Sequence, residues 1–178
     1  MHLVIRPALR PEIPALEALI AHSARELSQG YYSAEEIEAA IEHVFGVDTE
    51  LIEDGTYFVA EADGALAGCG GWSRRRTLFG GDRAASRESG TLDPATEPAR
   101  IRAFFVHPAW ARRGIGQAIL TRCETEARQA GFRACELMAT LPGVPFYRVM
   151  GYEGDVPIRY DAGGVTLSFV PMRKGLAP

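Results

Sequence analysis

The stretch from Val106 to Leu120, VHPAWARRGIGQAIL, combines residue types that suit the binding of an anion. It joins a strand-like run to a helical pattern that opens at Gly114. The N-terminus of a helix carries partial positive charge, so Arg112 and Arg113 are unfavourable there for the helix alone. A bound anion would reconcile these charges, because the free backbone N–H groups at a helix N-terminus also favour negative charge. Gly114 and Gly116 lack a Cβ and would let such a ligand approach the main chain closely.

Two familiar phosphate-binding loops do not fit this segment. The P-loop requires GxxxxGK[ST], and neither the lysine nor the Ser/Thr is present here. The dinucleotide fingerprint requires a third glycine, but the position three residues after Gly116 is Ile119. A glycine-containing turn with surface arginines therefore stays open as the purely structural alternative.

The elements on either side of the loop must position these groups. Residues Ile101–His107, IRAFFVH, predict the preceding strand, and a helix is expected from Ile115 to about Ala130. Gly131 then ends the helix as a C-cap residue would. One apolar stripe marks the buried face of this helix, namely Ile115, Ile119, Cys123, Ala127 and Ala130.

Strand and helix patterns also alternate along the rest of the chain. Ser33 and Glu36 form a capping box at the start of a helix, and Asp63-Gly64 predicts a two-residue hairpin turn. The other predicted strands are 3–8, 56–62, 65–76, 134–140 and 165–172, and the other predicted helices are 15–27, 34–45 and 145–151. This order predicts an α/β fold with a mixed sheet.

Residues 77–98 interrupt that order with a polar segment rich in Gly, Ser, Asp and Pro. The segment is long for a connection inside a compact domain. We consider two interpretations, a functional flap and a disordered loop.

The bulk composition narrows the class of protein. The chain has 178 residues, enough for one domain with a real core, and its net charge of −4 argues against a nucleic-acid binder with a wholly basic surface. No run approaches the roughly 18 apolar residues of a membrane span. The short apolar stretch near the N-terminus is interrupted by arginines and is not typical of a secretion signal. A cytoplasmic location is expected.

The cysteines and histidines show no metal-ligand spacing, so a structural zinc site is not expected. Cys69, Cys123 and Cys135 lie among apolar residues, which favours buried free thiols in a reducing compartment. Of the four histidines, only His107 falls near the glycine loop.

Two segments carry a resemblance to a known family. FFVHPAWARRGIGQAIL and the downstream PFYRVMGYE resemble the signature of the GCN5-related N-acetyltransferases (GNAT), R/Q-x-x-G-x-G/A followed by a tyrosine in FY-x-x-x-G-F/Y. The order of predicted elements is similar as well. The resemblance implies one GNAT-type domain over residues 1–178, with a mixed, mostly antiparallel twisted sheet of six to seven strands flanked by about four helices.

The chain departs from the family pattern at two positions. Ala111 stands where the signature has its first arginine or glutamine, so Arg112 or Arg113 would have to supply that charge. Thr140 stands where many members carry an asparagine that contacts the pantetheine arm. Both departures concern side-chain contacts and leave the backbone cradle intact.

The resemblance implies transfer of an acyl group, usually acetyl, from coenzyme A to a primary amine without a metal. In this interpretation the N–H groups of Arg113 to Ala118 bind the pyrophosphate, and the Val106 N–H stabilises the oxyanion. Tyr147 is the candidate general acid for the departing thiolate. The implied cofactor-binding residues are Phe104, Phe105, Val106, Arg112, Arg113, Gly114, Ile115, Gly116, Gln117, Ala118, Thr140 and Tyr147.

The resemblance does not assign the general base or the residues of the acceptor pocket. A base is needed because a lysine-like amine, with a pKa of about 10.4, is charged at neutral pH. The candidate carboxylates, none of them assigned, are Glu53, Glu61, Asp93 and Glu97. The aromatic residues that could line the acceptor pocket or belong to the core are Tyr31, Tyr32, Phe58, Trp72 and Phe104. The run Arg74–Arg76 could attract an acidic substrate or a phosphate, or simply form a solvated strand end.

Two other functions stay open beside the acetyltransferase. One is a catalytically silent acetyl-CoA-binding sensor or interaction module, and the other is a binding domain whose glycine turn is coincidental. The expected partners are acetyl-CoA and an amine acceptor, with neither nucleic acid nor membrane. A homodimer is expected only by analogy with the family.

Overall fold

A computed structural model describes all residues from 1 to 178. Its strands are β1 (Leu3–Pro7), β2 (Tyr57–Ala62), β3 (Ala65–Ser73), β4 (Ala99–Val106), β5 (Ala134–Thr140), β6 (Ile158–Ala162) and β7 (Val165–Gly175). Its α-helices are α1 (Ile13–Leu27), α2 (Ala34–His43), α3 (Thr49–Glu53), α4 (Ile115–Gln129) and α5 (Val144–Val149). Short 3₁₀ turns cover Arg10–Glu12, Pro108–Trp110 and Leu141–Gly143.

The strands form one seven-stranded sheet in the order β1-β2-β3-β4-β5-β7-β6. Every neighbouring pair is antiparallel except β4 and β5, which run parallel. The predicted mixed and mostly antiparallel sheet is therefore confirmed. The helices number five where about four were expected, because α3 was not predicted. Asp48 caps this helix just before its first residue, Thr49, because the Asp48 side chain accepts a hydrogen bond from the Glu50 N–H at 3.0 Å.

Local signals placed every predicted helix end within two residues of its observed position. The capping box of α2 is confirmed, since Ser33 Oγ accepts from the Glu36 N–H at 3.1 Å and Glu36 Oε1 accepts from the Ser33 N–H at 2.8 Å. This helix ends at His43, two residues before its predicted end, and Phe45 packs into the core instead. Helix α1 begins at Ile13 rather than residue 15, because Pro14 is tolerated in its first turn.

A hydrophobic core lies on each face of the sheet. The cluster under α4 and α5 includes the predicted stripe of α4, with Ile115, Ile119, Cys123 and Ala127 buried. The cluster under α1 and α2 includes Leu16, Leu19, Ile20, Ile37 and Phe45. All three cysteines are buried and free. None of the helices combines the length and the apolar character that crossing a membrane requires.

Residues 77–98 contain neither helix nor strand but are anchored to the body of the domain. The buried Arg102 side chain donates to the Thr77 carbonyl at 3.0 Å and also to the carbonyl of Gly80. Within the loop, Thr77 Oγ1 donates to the Glu88 carbonyl at 3.1 Å and accepts from its N–H at 2.9 Å. The first residues of the loop are thereby fixed beside β4.

Candidate active site

The parallel strands β4 and β5 separate soon after they pair. They are in register only at Ala99 with Cys135 and at Arg100 with Glu136. Beyond these pairs β4 remains paired with β3, and β5 remains paired with β7 as far as Thr140. The facing edges of the two strands are therefore left without a strand partner, and a cavity of about 800 Å³ occupies the gap.

The main chain of β4 is turned toward this gap by a bulge. Its register against β3 shifts between Cys69 and Gly71, opposite Ala103, which has a positive φ of 53°. The buried Tyr57 hydroxyl donates to the Ala103 carbonyl at 2.8 Å and holds the bulge in place. A bulge of this kind bends a strand and redirects the groups that follow it.

The Val106 N–H points into the gap. Hydrogen-bonded and non-hydrogen-bonded pairs alternate along antiparallel strands. Because the His107 N–H donates to the Ala67 carbonyl at 2.8 Å, the adjacent pair of Val106 and Gly68 is a non-hydrogen-bonded one. The Val106 amide therefore faces away from β3, while the main chain of Phe105 faces toward it.

The glycine loop presents a run of free amides to the same cavity. The backbone N–H groups from Arg112 to Gln117 donate no hydrogen bond within the protein. Positive φ angles at Arg112 (62°) and Gly114 (82°) shape the turn, and no side chain caps the helix that begins at Ile115. The predicted cradle extended to Ala118, but the N–H of Ala118 donates to the Gly114 carbonyl at 3.0 Å and belongs to the helix. An array of amides at a helix N-terminus is suited to bind a phosphate group.

Tyr147 reaches the cavity from α5. The residue is 9% exposed, and its hydroxyl has no hydrogen-bond partner in the protein. Its ring packs edge-on against Phe146 and Tyr152, with centroid distances of 5.0 and 5.8 Å. Burial raises the pKa of Tyr147 well above its ordinary value, because the phenolate would lose its hydration. The phenol therefore stays protonated at neutral pH and can act as a proton donor.

Tyr152 packs against the side of the Tyr147 ring that faces away from the cavity. Its hydroxyl donates to the buried Glu124 carboxylate at 2.9 Å, and the Lys174 ammonium donates to the same carboxylate at 2.9 Å. Burial raises the pKa of Tyr152 as well, so its hydroxyl remains the donor in this contact. The Tyr147 ring is thus backed by a hydrogen-bonded neighbour.

Most of the predicted cofactor-binding residues line the cavity. They are Phe104, Phe105, Val106, Arg112, Gly114, Ile115, Gly116, Gln117, Thr140 and Tyr147. Arg113 and Ala118 do not, and the Arg113 guanidinium lies over the Trp110 ring at 5.2 Å instead. The Thr140 hydroxyl accepts from the Gly143 N–H at 3.3 Å, so its local role is to cap the following turn.

The candidate carboxylates lie outside the cavity. Glu61 pairs with Arg6 at 2.6 Å, Glu53 with Arg10 at 2.9 Å, and Glu97 with Arg76 at 2.6 Å. The ion pair lowers the pKa of Glu97, which makes it a weaker base. Asp93 caps the turn after it by accepting from the Ala95 N–H at 3.0 Å.

The aromatic candidates divide between the cavity and the core. Tyr31 and Phe104 line the cavity, whereas Phe58, Trp72 and Tyr32 are buried in the two cores. The run Arg74–Arg76 supports the structural alternative, because Arg74 stacks on Trp72 and the other two pair with Asp54 and Glu97.

Sequence reasoning missed part of the cavity wall. Phe45, Phe79, Phe169 and Arg102 all line the cavity but were not predicted to belong to a site. One signal was present for Arg102, since a charged residue in the apolar strand IRAFFV must find a buried partner. That partner is Asp48, at 2.6 Å. The structure contains no group of three or more His, Cys, Asp or Glu side chains that could hold a metal ion.

The splayed strands, the bulge and the amide array define the class of protein. The model of the acetyltransferase (GNAT) family matches residues 18–152 of this chain. The chain therefore belongs to the GNAT family of acetyltransferases.

Solved structures share the fold along the whole chain. A GCN5-related N-acetyltransferase from Rhodopseudomonas palustris is 18% identical with a TM-score of 0.74, covering 99% of this chain and 97% of its own. The PaiA N-acetyltransferase from Thermoplasma acidophilum, in complex with coenzyme A, is 18% identical with a TM-score of 0.66 and coverages of 98% and 99%. The yncA protein from Salmonella typhimurium, with acetyl-CoA, is 16% identical with a TM-score of 0.63 and coverages of 100% and 96%. A search of the curated proteins gives no match.

Proposed function

We propose that this protein is an N-acetyltransferase that transfers the acetyl group of acetyl-CoA to a primary amine. The observation that carries the proposal is the cavity between β4 and β5, which joins a row of unpartnered amides to a free strand edge and a buried phenol. The coenzyme A complex of PaiA and the acetyl-CoA complex of yncA, which share this fold, support it.

The residues present fit the diphosphate of coenzyme A. The N–H groups from Arg112 to Gln117 are donors that the protein itself leaves unpaired, and Gly116 adds no side chain of its own beside them. Arg112 lines the cavity beside these amides and adds positive charge. We assign the side-chain charge to Arg112 rather than to Arg113, whose guanidinium stacks on Trp110.

Acetyl-CoA supplies the acetyl group as a thioester. The neutral amine nitrogen attacks the carbonyl carbon, forming the C–N bond as the C–S bond breaks. The Val106 N–H, which has no partner on β3, donates to the carbonyl oxygen as negative charge develops there. Tyr147 gives its proton to the departing sulfur, and the proton that the nitrogen loses restores the phenol of Tyr147. The products are an N-substituted acetamide and the free thiol of coenzyme A.

The first test is binding of the cosubstrate. Isothermal titration of the purified protein with acetyl-CoA is expected to give a saturable heat with one site per chain. At acetyl-CoA concentrations about a hundred times the Kd, the protein should gain about 2.7 kcal/mol of stability. Release of free thiol upon adding amines then separates an enzyme from a binding module. A folded protein that gives no heat would contradict the proposal, and binding without turnover on any amine would support a silent sensor instead.

Tyr147→Phe is expected to lower kcat by roughly 100-fold or more while the KM for acetyl-CoA stays the same. General acid catalysis typically contributes about 10²–10⁴-fold, and the lost hydroxyl has no partner in the protein whose bond would break. Thiol release measured at saturating acetyl-CoA gives both constants.

A matched control removes a hydroxyl outside the cavity. Tyr160 is half-buried against Phe79, so Tyr160→Phe should leave kcat close to that of the unaltered protein. Normal turnover by Tyr147→Phe with every accepted amine would show that this phenol is not the acid.

The thiols support a proposal for the compartment. Cys69, Cys123 and Cys135 are buried and unpaired, which suits a reducing environment. We therefore propose a cytoplasmic location.

A further inference from the structure

The cavity does not end at the sheet but passes through the gap to its other face. On the α4 and α5 side lie the amide array and Tyr147, which the proposed function assigns to acetyl-CoA. On the α1 and α2 side we define the acceptor half by six lining residues, Ala24, Leu27, Tyr31, Phe45, Phe79 and Phe169. An amine that enters from this side meets the thioester where the two strands part.

Aromatic rings form the wall of the acceptor half. Phe45 packs against Phe105 with a centroid distance of 5.3 Å, and Phe169 packs against Phe79 at 5.7 Å. The ring centroids of Phe45 and Phe169 are 6.4 Å apart. Phe45 and Phe169 are buried, whereas Phe79 is half-buried on the anchored loop. Such a wall favours an apolar or aromatic body on the ligand.

Two charged side chains line the cavity, and both are arginines. Arg112 belongs to the amide array, and Arg102 borders the acceptor half with its side chain 1% exposed. The carboxylates of Asp48 and Glu17 do not line the cavity and are already engaged by other groups. Asp48 is bound by Arg102 and Arg87, and Glu17 is bound by the Val47 N–H and by Arg83.

A positively charged group would be disfavoured in this environment. Burial in a low-dielectric site penalises the charged form of an amine, and no carboxylate lines the cavity to stabilise that form. Burial without a counterion lowers the pKa of an amine that enters the acceptor half. The neutral form, which is the one that can attack a thioester, is therefore favoured by the cavity wall itself.

We propose that the acceptor is an apolar molecule with one primary amine and no second positive charge, an inference that rests on the proposed function. The amine releases its extra proton to solvent on entering the acceptor half, so no protein carboxylate acts as its base. Polyamines and other polycationic amines are disfavoured by the same physics, because the acceptor half offers no carboxylate to pair with a second ammonium group.

A pair of amines of equal length tests this directly. Hexylamine and 1,6-diaminohexane differ at the far end, where one carries a methyl group and the other an ammonium. With acetyl-CoA, thiol release is expected to give a kcat/KM for hexylamine at least about tenfold higher, since burying an unpaired charge is costly. Comparable values, or a preference for the diamine, would overturn the inference.

A designed carboxylate should change the preference. Phe79→Glu places a negative charge on the wall of the acceptor half and is expected to narrow or reverse the ratio between the two amines. Val156→Glu is the matched control, because Val156 is 72% exposed and lies outside the cavity. The control should keep the ratio of the unaltered protein. An unchanged ratio in Phe79→Glu would show that this wall does not contact the acceptor.

Binding separates this inference from the proposed function. Calorimetric titration of the two amines into the protein loaded with coenzyme A should rank them in the same order without any turnover. Retained ranking with no thiol release would overturn the proposed reaction alone. Equal binding, tighter binding of the diamine, or failure of both amines to bind would overturn the acceptor class, whatever the activity.

Discussion

Asp48→Ala is expected to lower the free energy of unfolding by about 3–5 kcal/mol, the usual cost of removing one partner from a buried ion pair. The Asp48 carboxylate is fully buried and accepts from Arg102 Nη2 at 2.6 Å and from Arg87 Nη1 at 2.8 Å. Arg102 is itself only 2% exposed. Burial lowers the pKa of Arg102, and Asp48 opposes that effect. Without the carboxylate, the guanidinium would remain buried and uncompensated.

The loss should be easy to measure. Single domains have about 5–15 kcal/mol of total stability, so this change removes a large part of it. Urea denaturation followed by circular dichroism gives the free energy directly. A thermal melt should show a fall in Tm of about 6–20 °C for a chain of this size.

Two controls identify the cause. Glu53→Ala breaks the ion pair between Glu53 and Arg10, whose side chains are 58% and 64% exposed, respectively. This change should lower the free energy of unfolding by less than about 1 kcal/mol. Adding Arg102→Met to Asp48→Ala removes the stranded charge and should recover part of the stability, because apolar replacements of buried ion pairs are often tolerated. A double variant less stable than Asp48→Ala would contradict this account.

The amide array could be predicted from the sequence because its signals are local. An apolar strand, two glycines and an amphipathic helix follow one another within Ile101–Gln129, and each element is determined by its own residues. The apolar stripe of α4 is buried as its spacing indicated. The sequence does not show where the run of free amides ends. Only the structure shows that the Ala118 N–H donates to the Gly114 carbonyl.

The acceptor half could not be predicted because distant segments build it. Phe45 follows α2, Phe79 lies in an irregular loop, and Phe169 comes from β7. In a single sequence each of these residues looks like an ordinary core aromatic. Helix α3 was missed for a related reason, since its five residues are too few to show helical periodicity.

The carboxylates show the same limit of sequence reasoning. Their positions near strands and the flap suggested a base, but pairing with an arginine depends on which segments meet in the fold. Glu61 contacts Arg6, which is 55 residues away in the chain. No spacing rule connects such a pair. In contrast, Arg102 interrupts an apolar strand and thereby signals that a buried carboxylate must lie close to it.

Gly116→Leu is expected to weaken acetyl-CoA binding by about 10²–10⁴-fold. Gly116 lines the cavity within the run of free amides, and a Cβ there would lie 3.2 Å from the Phe146 ring. Because Phe146 also lines the cavity, a leucine side chain pressed against its ring would reduce the space beside the amides. Losing two charge-assisted hydrogen bonds at about 1.5–3 kcal/mol each gives an effect of this size. Calorimetric titration with acetyl-CoA measures it.

The fold itself should survive this substitution. Leucine has a higher helix propensity than glycine by roughly 1 kcal/mol, and Gly116 lies in the first turn of α4, where its φ is not positive. The melting temperature without ligand should therefore change little. Gly175→Leu is the matched control, because Gly175 is exposed and no atom lies within 4 Å of its added Cβ. Tight acetyl-CoA binding by a well-folded Gly116→Leu protein would place the diphosphate elsewhere, and the amides from Arg112 to Gln117 would then need another ligand to explain why the fold leaves them unpaired.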